Sequence, residues 1–171
     1  MDSIVPKVLR DRKDIFDSFV RLAQKNLGSI DIEITLENVL NHFTIQDVSG
    51  MSNPVFIVGR ADKKIVIRFF LSATADFALE NKVFDIASQK GYAPEMIETD
   101  SSTYRVEQFY HGGPLTHLSL ADPAVYKQTM RLLCDFNYDI QLNALIQDKS
   151  LPKALEFIEN GPSSWYWQAF F

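Results

Sequence analysis

The residues best suited to chemistry lie between Asp47 and Tyr110, and Arg68 is the first of them. It is set into an apolar run, Ile65-Val66-Ile67-Arg68-Phe69-Phe70. On a strand it shares a face with Val66 and Phe70, while Ile65, Ile67 and Phe69 turn the other way. A charge in such a place needs a reason, because burying it unpaired is costly. One reason is phosphate: the planar guanidinium can grip two oxygens at once. The alternative is an arginine whose stem lies along the sheet while its head reaches water. Glu80 follows 12 positions later (80 − 68) on the next predicted element, a helix. Laid across the sheet, that helix can bring the carboxylate to Arg68 and fix its pose; otherwise Glu80 is one more exposed helix glutamate. Upstream, Ser49-Gly50-Met51-Ser52-Asn53 can form a tight turn with backbone N–H groups aimed at an anion, although it lacks the several glycines of a P-loop. Downstream, Glu107-Gln108-Phe109 ends a strand just before a glycine-rich connector. It can place backbone groups beside a heterocycle, and the hinges of plain structural proteins look the same. A small turn, a cationic strand and an acidic helix in that order suggest half of a nucleotide-binding cleft.

Other chemistries find no support. His42, His111 and His117 share no metal-ligand spacing, and no serine stands in a nucleophile-elbow context. The single cysteine, Cys134, excludes an internal disulfide framework; its apolar neighbours Leu132, Leu133 and Phe136 predict a buried, inert thiol. A net charge of −5 leaves no basic face of the kind a nucleic-acid backbone needs. The acidic, interrupted start MDSIVPKVLRDRKDIFDSF reads as neither a signal peptide nor a typical transit peptide, and no apolar run reaches the length of a membrane span. A cytoplasmic protein is expected, with an organelle complex as the alternative.

The elements that must position these residues follow from periodicity. Residues 11–27 predict a helix with Ile15, Phe19, Leu22 and Ala23 on one stripe and Gly28 as its stop. Residues 35–43 predict a second, short helix capped by Thr35. The period then falls to two: strands are expected up to Gly50, over 55–58 and over 65–70, joined by short turns and therefore antiparallel. A helix carrying Leu79, Val83 and Ile86 comes next, capped by Thr74 or Asp76 and stopped near Gly91. Strands around 95–98 and 104–109 complete an α+β lobe, a five-stranded antiparallel sheet packed against one helix. Beyond the connector His111-Gly112-Gly113-Pro114, residues 123–139 predict a helix with Val125, Thr129, Leu132, Leu133 and Phe136 on its apolar side. A last helix is expected over 152–159, and the tail 161–171 gathers Trp165, Tyr166, Trp167, Phe170 and Phe171.

In this order the motifs resemble the N-terminal lobe of the choline/ethanolamine kinases, part of the wider protein-kinase-like and aminoglycoside-phosphotransferase-like group. Ser49-Gly50-Met51-Ser52-Asn53 resembles the family's Gly-Gly-Leu/Met-Ser-Asn phosphate loop, with Ser49 in place of its first glycine. Ile65-Val66-Ile67-Arg68 resembles the strand whose arginine takes the part of the kinase lysine, and Leu79-Glu80 the helix with the partner glutamate. Gly91-Tyr92-Ala93-Pro94-Glu95-Met96 is similar to the step into the fourth strand. Arg105-Val106-Glu107-Gln108-Phe109 resembles the hinge that holds the adenine, and residues 123–137 the helix that follows, with Asn137 in the place of a histidine. The resemblance covers roughly residues 35–140.

It implies a kinase-like small lobe over 35–140, with a helical extension over 1–34 and a helical and aromatic tail over 141–171. It also implies ATP with magnesium as cofactor. Ser52, Asn53 and Arg68 would touch phosphates, Glu80 would orient Arg68, and Gln108 and Phe109 would border the adenine. Nothing after Tyr138 resembles the His-Asn-Asp catalytic loop or the Asp-Phe-Glu metal ligand of the family's large lobe, so no catalytic residue and no metal ligand is assigned. The expectation is a nucleotide-binding lobe that is inactive alone and is completed by other protein subunits. The alternative is a catalytically dead, pseudokinase-like lobe kept as a structural or interaction subunit of a larger complex.

Overall fold

A computed structural model describes residues 4–50, 53–71, 76–100, 102–112 and 115–147. It divides into two compact units whose boundary falls between Gly113 and Pro114.

The first unit opens with α1 (Lys7–Asp11) and α2 (Lys13–Leu27), where one longer helix from residue 11 was expected. The stripe on α2 is the predicted one: Ile15, Phe19, Leu22 and Ala23 are all buried, joined by Phe16. Gly28 ends the helix with φ 106°, a left-handed conformation that costs any other residue strain. The short helix α3 (Val39–His42) is one turn shorter at its start than predicted. The cause is Asn38, whose side chain accepts from the Thr35 N–H at 2.8 Å and donates to the Glu33 carbonyl at 2.9 Å, holding a turn ahead of the helix.

The sheet has five antiparallel strands, as expected: β1 (Thr44–Asp47), β2 (Val55–Arg60), β3 (Lys63–Phe69), β4 (Met96–Asp100) and β5 (Tyr104–Gln108), in the spatial order β1-β2-β3-β5-β4. The β2–β3 turn is only Ala61-Asp62, and Ala61 takes φ 53°, a position where such hairpins favour glycine. Alternation sorts the faces. Ile65, Ile67 and Phe69 of β3 join Phe56, Val58 and Val106 in a core closed by α2. There the ring of Phe19 meets Phe56 edge-on at 5.7 Å. Around this core, Arg60 Nη1 donates to the carbonyls of Gly28 and Ser29, Lys25 pairs with Glu98, and the Arg21 guanidinium lies 5.4 Å from the Tyr104 ring centre. The segment expected as a helical extension thus supplies the helical half of the main core.

The second helix on the sheet is α4 (Phe77–Gln89), and it serves the opposite face. Asp76 caps it, its side chain accepting from the Leu79 N–H at 3.0 Å; the alternative cap, Thr74, lies outside the described residues. Leu79, Val83 and Ile86 are only half-buried, and the buried positions are Phe77, Asn81 and Ala87. The stripe expected over Leu79, Val83 and Ile86, widened by Phe84 and Ala87, is thus fully buried only at Ala87, because α4 meets a sheet face that carries charge rather than an apolar one.

The second unit holds α5 (His117–Leu120), α6 (Pro123–Asn137) and α7 (Ile140–Gln147). Thr116 and Ser119 form a reciprocal capping box on α5, Asp122 accepts from the Ala124 N–H, and Asp139 accepts from Gln141 and Leu142 at the start of α7. On α6, Val125, Thr129 and Phe136 are half-buried, but Leu132 and Leu133 are about half exposed, at 49% and 48%. Cys134 is exposed, which corrects the expectation of a buried thiol: the leucines before it are not covered either. The helix expected over 152–159 and the aromatic tail lie outside the described residues. Among the described residues no helix is long and apolar enough to cross a membrane.

Phe19→Ala should cost about 3–5 kcal/mol in urea denaturation, the usual loss for a fully buried phenylalanine. Gly28→Ala should cost about 1 kcal/mol or more, because the backbone is left-handed there and the new Cβ would meet Arg60 Nη1 at 3.0 Å.

Candidate anion-binding site

The register of the central strands builds the site. Arg68 on β3 stands directly opposite Arg105 on β5, and Val66 opposite Glu107. Two like charges facing each other across a ladder repel, so the pair requires a carboxylate nearby. Glu107, two residues beyond Arg105 and therefore on the same face, supplies it. Its Oε1 accepts from Arg105 Nε at 2.8 Å and from Arg68 Nε at 3.3 Å. The side chains of Arg105 and Glu107 are 3% and 7% exposed, whereas that of Arg68 is 30% exposed. One carboxylate oxygen therefore serves two arginines, one deep and one within reach of solvent.

Helix α4 engages the deep arginine. Arg105 Nη1 donates to Asn81 Oδ1 at 2.9 Å, and its guanidinium stacks 3.8 Å from the centre of the Phe84 ring. Phe70, 5.7 Å from the same guanidinium, stacks in turn on Phe77 at the start of the helix, with ring centres 4.4 Å apart. Glu80 Oε1 lies 3.5 Å from Arg105 Nη1. The expected Glu80–Arg68 pairing is replaced by Glu80–Arg105 and Glu107–Arg68. The reason is geometric: Arg105 lies under α4, and a carboxylate on the neighbouring strand reaches Arg68 without crossing the sheet. Among the described residues, no buried side-chain nitrogen or oxygen lacks a partner.

The turn after β1 is held at both ends. Asp47 Oδ1 accepts from the Ser49 N–H at 2.9 Å, Ser49 Oγ accepts from the Val55 N–H at 3.0 Å, and Asn53 Oδ1 accepts from the Leu71 N–H at 3.3 Å. The last bond ties the turn to the chain leaving β3, just past Arg68. Ser52 lies outside the described residues. A shallow groove of about 450 Å³ runs between α1 and this turn, lined by Lys7, Arg12, Asp47, Ser49, Gly50 and Asn53 among others; Arg68 does not line it.

At the other end of the sheet, the Gln108 N–H already donates to the Glu95 carbonyl at 2.9 Å. Alternation along β5 turns the Gln108 side chain to the face opposite Arg68. Phe109 is half-buried, its ring edge-on to His111 at 5.2 Å with Lys64 Nζ 5.4 Å from its centre. Among the described residues, no three His, Cys, Asp or Glu side chains gather where they could hold a metal ion.

Sequence reasoning met Arg105 and Glu107 only as the flank of a hinge. A signal for them was present: two charged residues at alternate positions of one strand share a face, and a face with two charges is built for a partner.

No protein-family model matches the chain, and no curated protein matches it. Among solved structures it is similar to a choline kinase from Cryptosporidium parvum Iowa II, with 22% identity and a TM-score of 0.45, over 61% of this chain and 30% of that one. It is also similar to an ethanolamine kinase from Plasmodium vivax, with 17% identity and a TM-score of 0.48, over 79% of this chain and 44% of that one. The chain spans less than half the length of either enzyme, and the likeness is one of fold.

Arg105→Ala should cost about 3–5 kcal/mol in chemical denaturation, because it takes from the buried Glu107 carboxylate its closer, buried cation. Glu80→Gln should cost less than about 1 kcal/mol, as its side chain is 45% exposed.

Proposed function

We propose that this chain is the nucleotide-facing small lobe of a choline/ethanolamine-kinase-like phosphotransferase, the class that phosphorylates the free amino alcohols destined to become phospholipid head groups. The observation that carries this reading is Arg68: a part-exposed guanidinium on a strand, tethered through Nε to a carboxylate that is itself locked in place. A cation held that way is preorganised for phosphate oxygens, and it needs no reorganisation when they arrive. Asn53, on the turn stitched to the end of β3, and Ser52 beside it would contact the same phosphates. Gln108 and Phe109 would border the adenine, Phe109 with its half-buried ring. Glu80 contributes through Arg105.

ATP fits this donor set at the phosphates. Magnesium finds no cluster of ligands among the described residues, so no step is routed through it. When bound, it would neutralise charge on the phosphates. Activation of the acceptor hydroxyl belongs to a large lobe supplied by further polypeptide or by a second subunit. The lobe alone binds and does not turn over.

A second reading, a kinase-derived lobe kept as an interaction subunit, is favoured by α6. Tyr126, Met130, Leu132 and Leu133 are exposed there, and apolar side chains gathered on one helix tend to find a protein partner.

Calorimetric titration with Mg-ATP separates the two. Micromolar binding, weakened about tenfold or more in Arg68→Ala, is the expected result, since a charge-assisted contact to phosphate is worth about 1.5–3 kcal/mol. Absence of binding by the folded, intact chain would overturn the nucleotide reading and leave the interaction subunit.

A further inference from the structure

We propose that Glu107 is the positioning residue for Arg68, and that the α4 carboxylate, Glu80, reaches Arg68 through Arg105 and Glu107 rather than directly. This rests on the reading of Arg68 as a phosphate-binding group. Three observations carry it. First, Glu107 Oε1 is the acceptor of the Arg68 Nε–H, while the carboxylate of Glu80 stands on Arg105. Second, Glu107 is buried and Glu80 is not, so the Glu107 contact is screened far less by water and salt. Third, Arg105 is anchored from α4 by Asn81 and Phe84 and anchors Glu107 in turn.

The order of contact is therefore α4, then Arg105, then Glu107, then Arg68. A displacement of α4 would move Arg105 first, and Arg68 would feel it as a loosened carboxylate. The charges fit the same role. Glu107 holds Arg68 through Nε, and the part-exposed guanidinium stays within reach of an incoming anion. The deep end is balanced by Glu80.

The test uses the Nε–H signal of Arg68 in a ¹⁵N–¹H spectrum, assigned with Arg68→Lys. A hydrogen-bonded guanidinium Nε–H exchanges slowly with water, and a free one exchanges fast. The signal should persist in Glu80→Gln and should shift or broaden away in Glu107→Gln, with the backbone spectrum of each variant confirming the fold. In parallel, Glu107→Gln should weaken Mg-ATP binding by about tenfold or more, the size of one charge-assisted contact, and by more than Glu80→Gln does. Loss of the Arg68 signal in Glu80→Gln would overturn the proposal, and so would its survival unchanged in folded Glu107→Gln. If Glu107→Gln does not fold, the exposed Glu80→Gln variant still decides. If the intact chain binds no nucleotide, the functional reading fails, and the spectra still decide the relay.

Discussion

Two arginines face each other across β3 and β5, neighbouring strands inside the sheet, and one buried carboxylate oxygen accepts from both. Everything on that side of the sheet follows from this constraint. Without Glu107 the Arg68–Arg105 pair would repel across the ladder, and Arg105 would be a buried cation short of its closest carboxylate. With it, Arg105 becomes the floor on which α4 rests, through Asn81, Phe84 and Phe70. Helix α4 is therefore placed by polar and cation–π contacts at least as much as by apolar burial, which accounts for its half-exposed Leu79, Val83 and Ile86.

The two faces of the sheet divide the labour. The α2 face is conventional: Phe19, Leu22 and Phe16 pack on Phe56, Val58, Ile67 and Val106, and the burial of this apolar surface drives folding. That frees the α4 face to hold charge. A sheet with a hydrophobic core on one side can tolerate a buried ion network on the other, provided its polar atoms find partners, and among the described residues no buried side-chain nitrogen or oxygen lacks one. The part-exposed Arg68 is the end of that network and the point at which it meets solvent.

Much of this was legible in the sequence, for identifiable reasons. The stripe of α2, the alternation of Ile65, Val66, Ile67, Arg68 and Phe69, the five-stranded antiparallel sheet and the Asp76 cap all follow from local spacing. The partner of Arg68 did not, because it is fixed by cross-strand register between residues 39 apart in sequence, and no periodicity encodes register. Glu80 sits where a helix carboxylate was wanted, but its reach is taken by Arg105, which lies nearer. On α6, apolar spacing predicted coverage for Leu132, Leu133 and Cys134, yet a stripe states only what would be buried if a surface were there to bury it.

A double-mutant cycle between Arg105→Met and Glu107→Gln, read by urea denaturation, tests the central constraint most directly. The two side chains should be coupled by about 1.5–3 kcal/mol, the range for a buried charge-assisted bond, so that the double variant loses much less than the sum of the singles. Coupling below about 0.5 kcal/mol would contradict the account, since the pair would then be adjacent without supporting one another.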